Sequence, residues 1–270
     1  MISLRKSLFM SFKRCPQQGM YGLERNDQSY GEINTEHPAL LKGQIFHHAM
    51  EDLYNEMSMM VLKEYDTYED VHKYIHGLFP PTTQPDLRAW FDWYIDYESK
   101  RYLVMKEQDK LDYFMPYKQE MAVEYVIDGV KRTGHFDRVD RISDTELIII
   151  EYKTGKSYDP NKAFKISDLR SELEWYRSII SRMDEFKEFT VVGWKLLNPT
   201  LGVSYTSKFA PTTQYSVDRN MKMIAEMIEG KREVIKKYGM QCNWCRFAQQ
   251  CLSYDDEYHE IFGELSKEVE

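Results

Sequence analysis

The sequence predicts an α/β fold built on an antiparallel three-strand meander, and three observations predict it. Asp128-Gly129 stands between two extended runs, "QEMAVEYVI" and "VKRTGHFDRVDRI", and this pair favours the two-residue turn of a hairpin. "ELIIIEYK" follows a short polar turn and reads as a third strand, apolar enough to be buried. Leu169, Leu173, Tyr176 and Ile180 then recur on one face of a helix, "DLRSELEWYRSIISRM", which Ser167 can cap.

The other elements follow from period and punctuation. Residues 3 to 14 read as a short helix running into Cys15-Pro16, with a loop to about residue 38. Between Leu40 and Tyr65, apolar Leu41, Ile45, Ala49, Leu53 and Met57 recur at helical spacing. The prolines of "HGLFPPTTQPD" break that pattern, and an aromatic helix is expected from Asp86 to about Glu107. After the meander and its helix, "FTVVGWKLL" and "GVSYTSKF" read as strands, and a last long helix spans about 215 to 237.

A chain of 270 residues with 42% hydrophobic and 30% charged content can bury one large core, so a single domain over 1–270 is expected. The net charge of −8 argues against a uniformly basic coat for nucleic acid and leaves room for a local basic groove. No apolar stretch approaches the ~20 residues of a membrane span. The basic start "MISLRKSLFMSFKRCP" lacks a secretory apolar run, so a cytosolic location is expected. Cys15, Cys242, Cys245 and Cys251 then read as metal ligands or free thiols before disulfides.

Chemistry concentrates at the end of the third strand. Glu151 and Lys153 share one face there, and Tyr152 takes the other. With Ser143 to Thr145 as a three-residue turn, the register puts Asp137 directly across from Glu151. Two carboxylates so placed repel and ask for a cation, and Mg²⁺ or Mn²⁺ suits oxygen ligands. Such an ion binds a phosphodiester oxygen as a Lewis acid and lowers the pKa of a water, which Lys153 could orient or help deprotonate. Phosphodiester hydrolysis is the chemistry this predicts. The alternative is a solvated sheet end, with Asp137 and Glu151 in salt bridges to Lys153 and Arg138.

"GHFDRVDRISDTELIIIEYKTGK" resembles the active-site hairpin of the PD-(D/E)XK nuclease superfamily in its RecB-like branch. Gly43 to His47 in "KGQIFH" matches that branch's G-x-x-x-H motif. The resemblance implies a restriction-endonuclease-like core, a mixed sheet flanked by helices. It implies Mg or Mn held by His47, Asp137, Glu151 and the backbone carbonyl of Tyr152, with Lys153 as the catalytic lysine beside Glu151 and Asp137. Glu172 and Tyr176 match a Q-x-x-x-Y motif that faces substrate, with glutamate in place of glutamine. The implied partner is DNA, attacked by an exonuclease at single strands or duplex ends, in recombination, repair or CRISPR adaptation. A non-catalytic DNA-binding or scaffolding subunit and a restriction-type double-strand endonuclease are the competing classes.

"CNWCRFAQQC" gives C-x2-C-x5-C, and Cys15 lies more than 200 residues upstream. One distant and three clustered thiolates match the four-thiolate requirement of a cubane iron–sulfur cluster, with a zinc clip or reduced thiols as alternatives. The arrangement resembles iron–sulfur RecB-like nucleases: CRISPR-associated exonucleases, the AddB nuclease domain and eukaryotic replication nuclease-helicases. It implies a 4Fe-4S cluster on Cys15, Cys242, Cys245 and Cys251 that fastens the first helix to the last. About 66 to 116 is then a helical insertion, where Trp90, Tyr94 and Tyr97 read as core before they read as a stacking platform for single-stranded bases.

Overall fold

The computed structural model describes residues 2–25, 38–253, 255, 259 and 260. The chain opens with β1 (Ile2–Arg5), α1 (Lys6–Arg14), α2 (Pro16–Glu24), α3 (Pro38–Glu56) and α4 (Met59–Leu62). It continues with α5 (Tyr68–Gly77), α6 (Pro85–Glu107), β2 (Lys118–Ile127), β3 (Val130–Arg141) and β4 (Glu146–Tyr152). It closes with α7 (Ala163–Ile180), β5 (Thr190–Asn198), β6 (Val203–Lys208), α8 (Thr213–Ile228) and α9 (Ala248–Leu252). Two compact units result, one of Asn34–Tyr125 and Thr133–Tyr215, the other of Met1–Ile33, Val126–Arg132 and Ser216–Glu270.

The larger unit holds a mixed sheet in the order β3-β4-β5-β6, with β2 paired to β3. β3 and β4 run antiparallel, β4 and β5 parallel, and β5 and β6 antiparallel. Only a crossover can join parallel neighbours, and α7 is that crossover. β4 is central and buried on both faces, which explains why it reads as a continuous apolar run instead of an alternation. Ile148, Ile150 and Tyr152 pack with Phe46, Leu53, Val71, Ile75, Phe91 and Tyr94 of α3, α5 and α6. Each such side chain contributes about 1.5–3 kcal/mol on burial. On β3, Trp175 of α7 donates from Nε1 to the Thr133 carbonyl at 3.1 Å. Gly134 allows that approach, since a Cβ there would lie 2.7 Å from Tyr176 Cε1.

In the smaller unit Phe9, Met10 and Phe12 of α1 are buried, and α2 follows α1 after the single residue Cys15. Among the described residues, no helix is long and apolar enough to cross a membrane.

Several boundaries differ from expectation. Residues 16–24 form α2 where a loop is expected, because Pro16 occupies the first helical turn, which has no need of its missing N–H. Residues 2–5 are extended, so the first helix starts at Lys6. The long helix from Leu40 breaks at Met57-Ser58, where the Ser58 hydroxyl caps α4 through the Val61 N–H at 3.4 Å. Ser167 lies inside α7, which starts at Ala163. The last long helix stops at Ile228: Gly230 takes φ 71, and Lys231 and Gly230 donate back to the Glu226 and Met227 carbonyls at 2.8 and 3.1 Å. That paired closure ends a helix.

Candidate active site

Local geometry places the carboxylate pair. Ile142 donates to the Glu146 carbonyl at 3.0 Å, closing a turn over Ser143 to Thr145. The ladder then runs from Arg141 opposite Leu147 to Arg138 opposite Ile150, so the next pair is Asp137 and Glu151. Both are buried, 8% and 2% exposed. Asp137 Oδ2 accepts the Tyr152 N–H at 2.7 Å. Lys153 Nζ bonds Glu151 Oε1 at 2.5 Å and lies 3.9 Å from Glu172 Oε2 on α7. The expected salt-bridge alternative for Arg138 is not what forms, because its guanidinium grips Asp140 at 2.5 and 2.6 Å.

Helix α3 brings in His47, whose Nδ1 lies 3.6 Å from Asp137 Oδ1 and 3.5 Å from Glu120 Oε1. His47, Glu120 and Asp137 each offer a ligand atom, all within 4.8 Å of one another. Among the described residues Glu120 Oε1 is buried without a hydrogen-bond partner, and Glu120 holds φ 43, a left-handed backbone that a non-glycine residue adopts at a cost of roughly 1–3 kcal/mol. An orphaned acceptor on a strained residue beside an imidazole and a carboxylate fits a hard divalent ion. Glu120 is not among the ligands expected from the sequence. The signal that could find it is the hairpin: equal steps back from Asp128 and forward from Gly129 set Glu120 against Asp137.

Electrostatics point the same way. Burial, then the Glu151 charge, pushes Asp137 up to about 7, against the pull of His47 and Lys153. Burial disfavours a charged His47, yet Glu120, Asp137 and Glu151 outweigh it and raise the imidazole above its ordinary value. In the metal-free protein Asp137 therefore keeps its proton to about pH 7. Its folded value exceeds its unfolded one, so its stabilising contribution is full below the ordinary carboxylate value and is lost as pH rises through about 7. A cation must displace that proton. Mn²⁺ binding at pH 6 is expected to release a proton and to tighten as pH rises toward neutrality. Calorimetry in two buffers of different ionisation enthalpy checks it, and a buffer-independent heat would contradict the assignment.

The two residues of α7 part company. Glu172 joins Lys153, whereas Tyr176 is 1% exposed and its hydroxyl donates to the His135 carbonyl. Tyr176 thus braces the β3 backbone just ahead of Asp137 and presents no face to solvent.

Within the smaller unit Cys15, Cys242, Cys245 and Cys251 are free thiols lining one cavity of about 30 Å³, together with Tyr21, Lys236 and Tyr238. The Lys237 N–H lies 3.5 Å from Cys15 Sγ. Burial, and then the nearness of Cys15 and Cys242, raises the Cys245 thiol. Burial, and then Cys15 and Cys245 against the pull of Lys236, raises that of Cys251. Four thiols around one small cavity fit a group bound by four thiolates.

No curated protein sequence matches the chain. Among solved structures, the crystal structure of SSO0001 is 14% identical with a TM-score of 0.47, over 93% of this chain and 86% of that one. A protein from Eubacterium rectale, provisionally described as an exonuclease, is 11% identical with a TM-score of 0.34, over 80% of this chain and 94% of that one. A family model matches residues 7–252, a span that includes every carboxylate, histidine, lysine and cysteine described above. By that match the chain belongs to the PD-(D/E)XK nuclease superfamily.

Proposed function

We propose that this nuclease is a Mg²⁺- or Mn²⁺-dependent deoxyribonuclease of the RecB-like iron–sulfur branch, acting as an exonuclease on single strands or duplex ends. The observation that carries the proposal is the buried Asp137–Glu151 pair, set beside His47 and the orphaned Glu120 oxygen. His47, Asp137, Glu151 and the Tyr152 carbonyl would hold the ion, with Glu120 as a further oxygen. When bound, the ion supplies Lewis acidity toward a phosphodiester oxygen.

The chain's own groups do the rest. Glu151 fixes the Lys153 ammonium, which orients the attacking water and balances the charge that grows on the phosphate oxygens. Glu172 gives that ammonium a second anchor. Tyr176 would act through β3, where its hydroxyl donates to the His135 carbonyl. Cys15, Cys242, Cys245 and Cys251 would carry a 4Fe-4S cluster as a structural clasp. Recombination, repair or CRISPR adaptation in the cytosol is the setting such an activity suits.

The test compares linear and closed circular DNA, single- and double-stranded, with Mn²⁺ or Mg²⁺. The expected result is progressive loss of linear single strands or duplex from their ends, with circles intact. Discrete fragments from closed duplex circles would replace the exonuclease with an endonuclease. Binding of DNA with no cleavage under either ion would leave a scaffolding subunit.

A further inference from the structure

Three elements that carry residues of the metal site, α3, β3 and β4, also carry members of a second, buried cluster. On α3, Tyr54 follows His47 by seven residues, two helical turns, and so lies along the same stripe. On β3, Arg138 follows Asp137; on β4, Tyr152 stands between Glu151 and Lys153. The fourth contributor is α6, in the aromatic insertion, with Tyr94 and, one turn on, Glu98.

Arg138 Nη1 donates to the Tyr54 hydroxyl and to the Tyr94 hydroxyl at 2.9 Å, and reaches Glu98 at 3.4 Å and the Tyr152 hydroxyl at 3.5 Å. The three phenols also bond in series, Tyr54 to Tyr94 at 2.8 Å and Tyr94 to Tyr152 at 3.1 Å. Asp140 grips the other edge of the guanidinium, and Arg101 balances Glu98 at 2.7 Å. Arg138 is 1% exposed, and Glu98 and Tyr94 are wholly buried.

Two guanidiniums and two carboxylates are costly to desolvate, and an apolar core of equal volume commonly stabilises more. What the cluster supplies instead is geometry. Tyr152 sits at its end and meets the metal site three ways. Its N–H binds Asp137 Oδ2, its backbone carries Glu151 and Lys153 on either side, and its ring meets the His47 ring edge-on at 5.6 Å.

We propose that the knot of Arg138, Tyr54, Tyr94 and Tyr152 sets the spacing of the metal-holding side chains, and that α6 is present as its fourth support. These four are positioning residues, and the inference rests on the metal-dependent reading above.

The test is Mn²⁺ titration calorimetry on the full chain for wild type, Tyr94→Phe and Tyr102→Phe. Tyr102 is the control: it lies on the same helix, equally buried, with its hydroxyl on the Leu62 carbonyl at 2.7 Å and outside the knot. Tyr94→Phe is expected to weaken Mn²⁺ about tenfold, the lower end for loss of an outer-sphere partner. Tyr102→Phe is expected to bind as wild type does, although it too loses a buried hydrogen bond and some melting temperature. Wild-type affinity in Tyr94→Phe, or equal weakening in both variants, would overturn the proposal. Absence of Mn²⁺ binding in wild type would instead remove the metal reading, and this inference with it.

Discussion

Glu151→Gln is expected to abolish Mn²⁺ binding and to slow DNA cleavage at least about a thousandfold, within the range for removing a group that acts on the reacting atoms. Its melting temperature without metal is expected to hold or rise. Glutamine keeps the volume of a side chain that is 2% exposed, and its amide oxygen can still accept from Lys153. What disappears is a negative charge facing Asp137, the charge that helps push Asp137 up to about 7. Site and fold therefore want opposite things from this residue, as is common where function holds like charges together. Single-turnover cleavage and calorimetric melting measure the two halves separately. A variant that cleaves as fast as wild type would end the assignment of Glu151. A variant that merely unfolds would end the claim that the pair is held against its own repulsion.

The second large effect concerns the thiols. Cys15→Ser is expected to lose the broad visible absorption of an anaerobically purified iron–sulfur protein and to lower the melting temperature by about 10–20 °C. Closing a loop of more than 200 residues is worth ~5 kcal/mol by chain entropy alone. Chelation of the wild type should reproduce the loss. A colourless wild type containing zinc would replace the iron cluster with a zinc clip. A Cys15→Ser protein that stays coloured and melts unchanged would remove Cys15 from the ligand set.

What was legible in the sequence is what short-range geometry decides. The two-residue period and the Ser143–Thr145 turn suffice to set Asp137 against Glu151, and the four-residue step from Gly43 to His47 suffices to put the histidine on α3. The hairpin register could set Glu120 against Asp137, but its left-handed backbone inside a strand is something no residue type announces. Arg138 reads as a surface partner for Asp137, yet its hydroxyl partner Tyr54 lies 84 residues away and only the assembled helix layer reveals it. Tyr94 was correctly expected in the core, but a helical period cannot say that its hydroxyl ends on an arginine. Pro16 misled for a different reason, since the same residue that stops one helix can start the next.

The bond from the Tyr152 amide to Asp137 Oδ2 makes one backbone proton a spectator of the buried carboxylate pair. As the acid ionises it becomes a stronger acceptor, and the resonance of that amide should move downfield along a titration curve centred where Asp137 loses its proton. A nitrogen-15-labelled sample would thus follow the charge state of a buried carboxyl group, and any capture of it by a diamagnetic cation such as Mg²⁺, from a single peak and without any probe attached nearby.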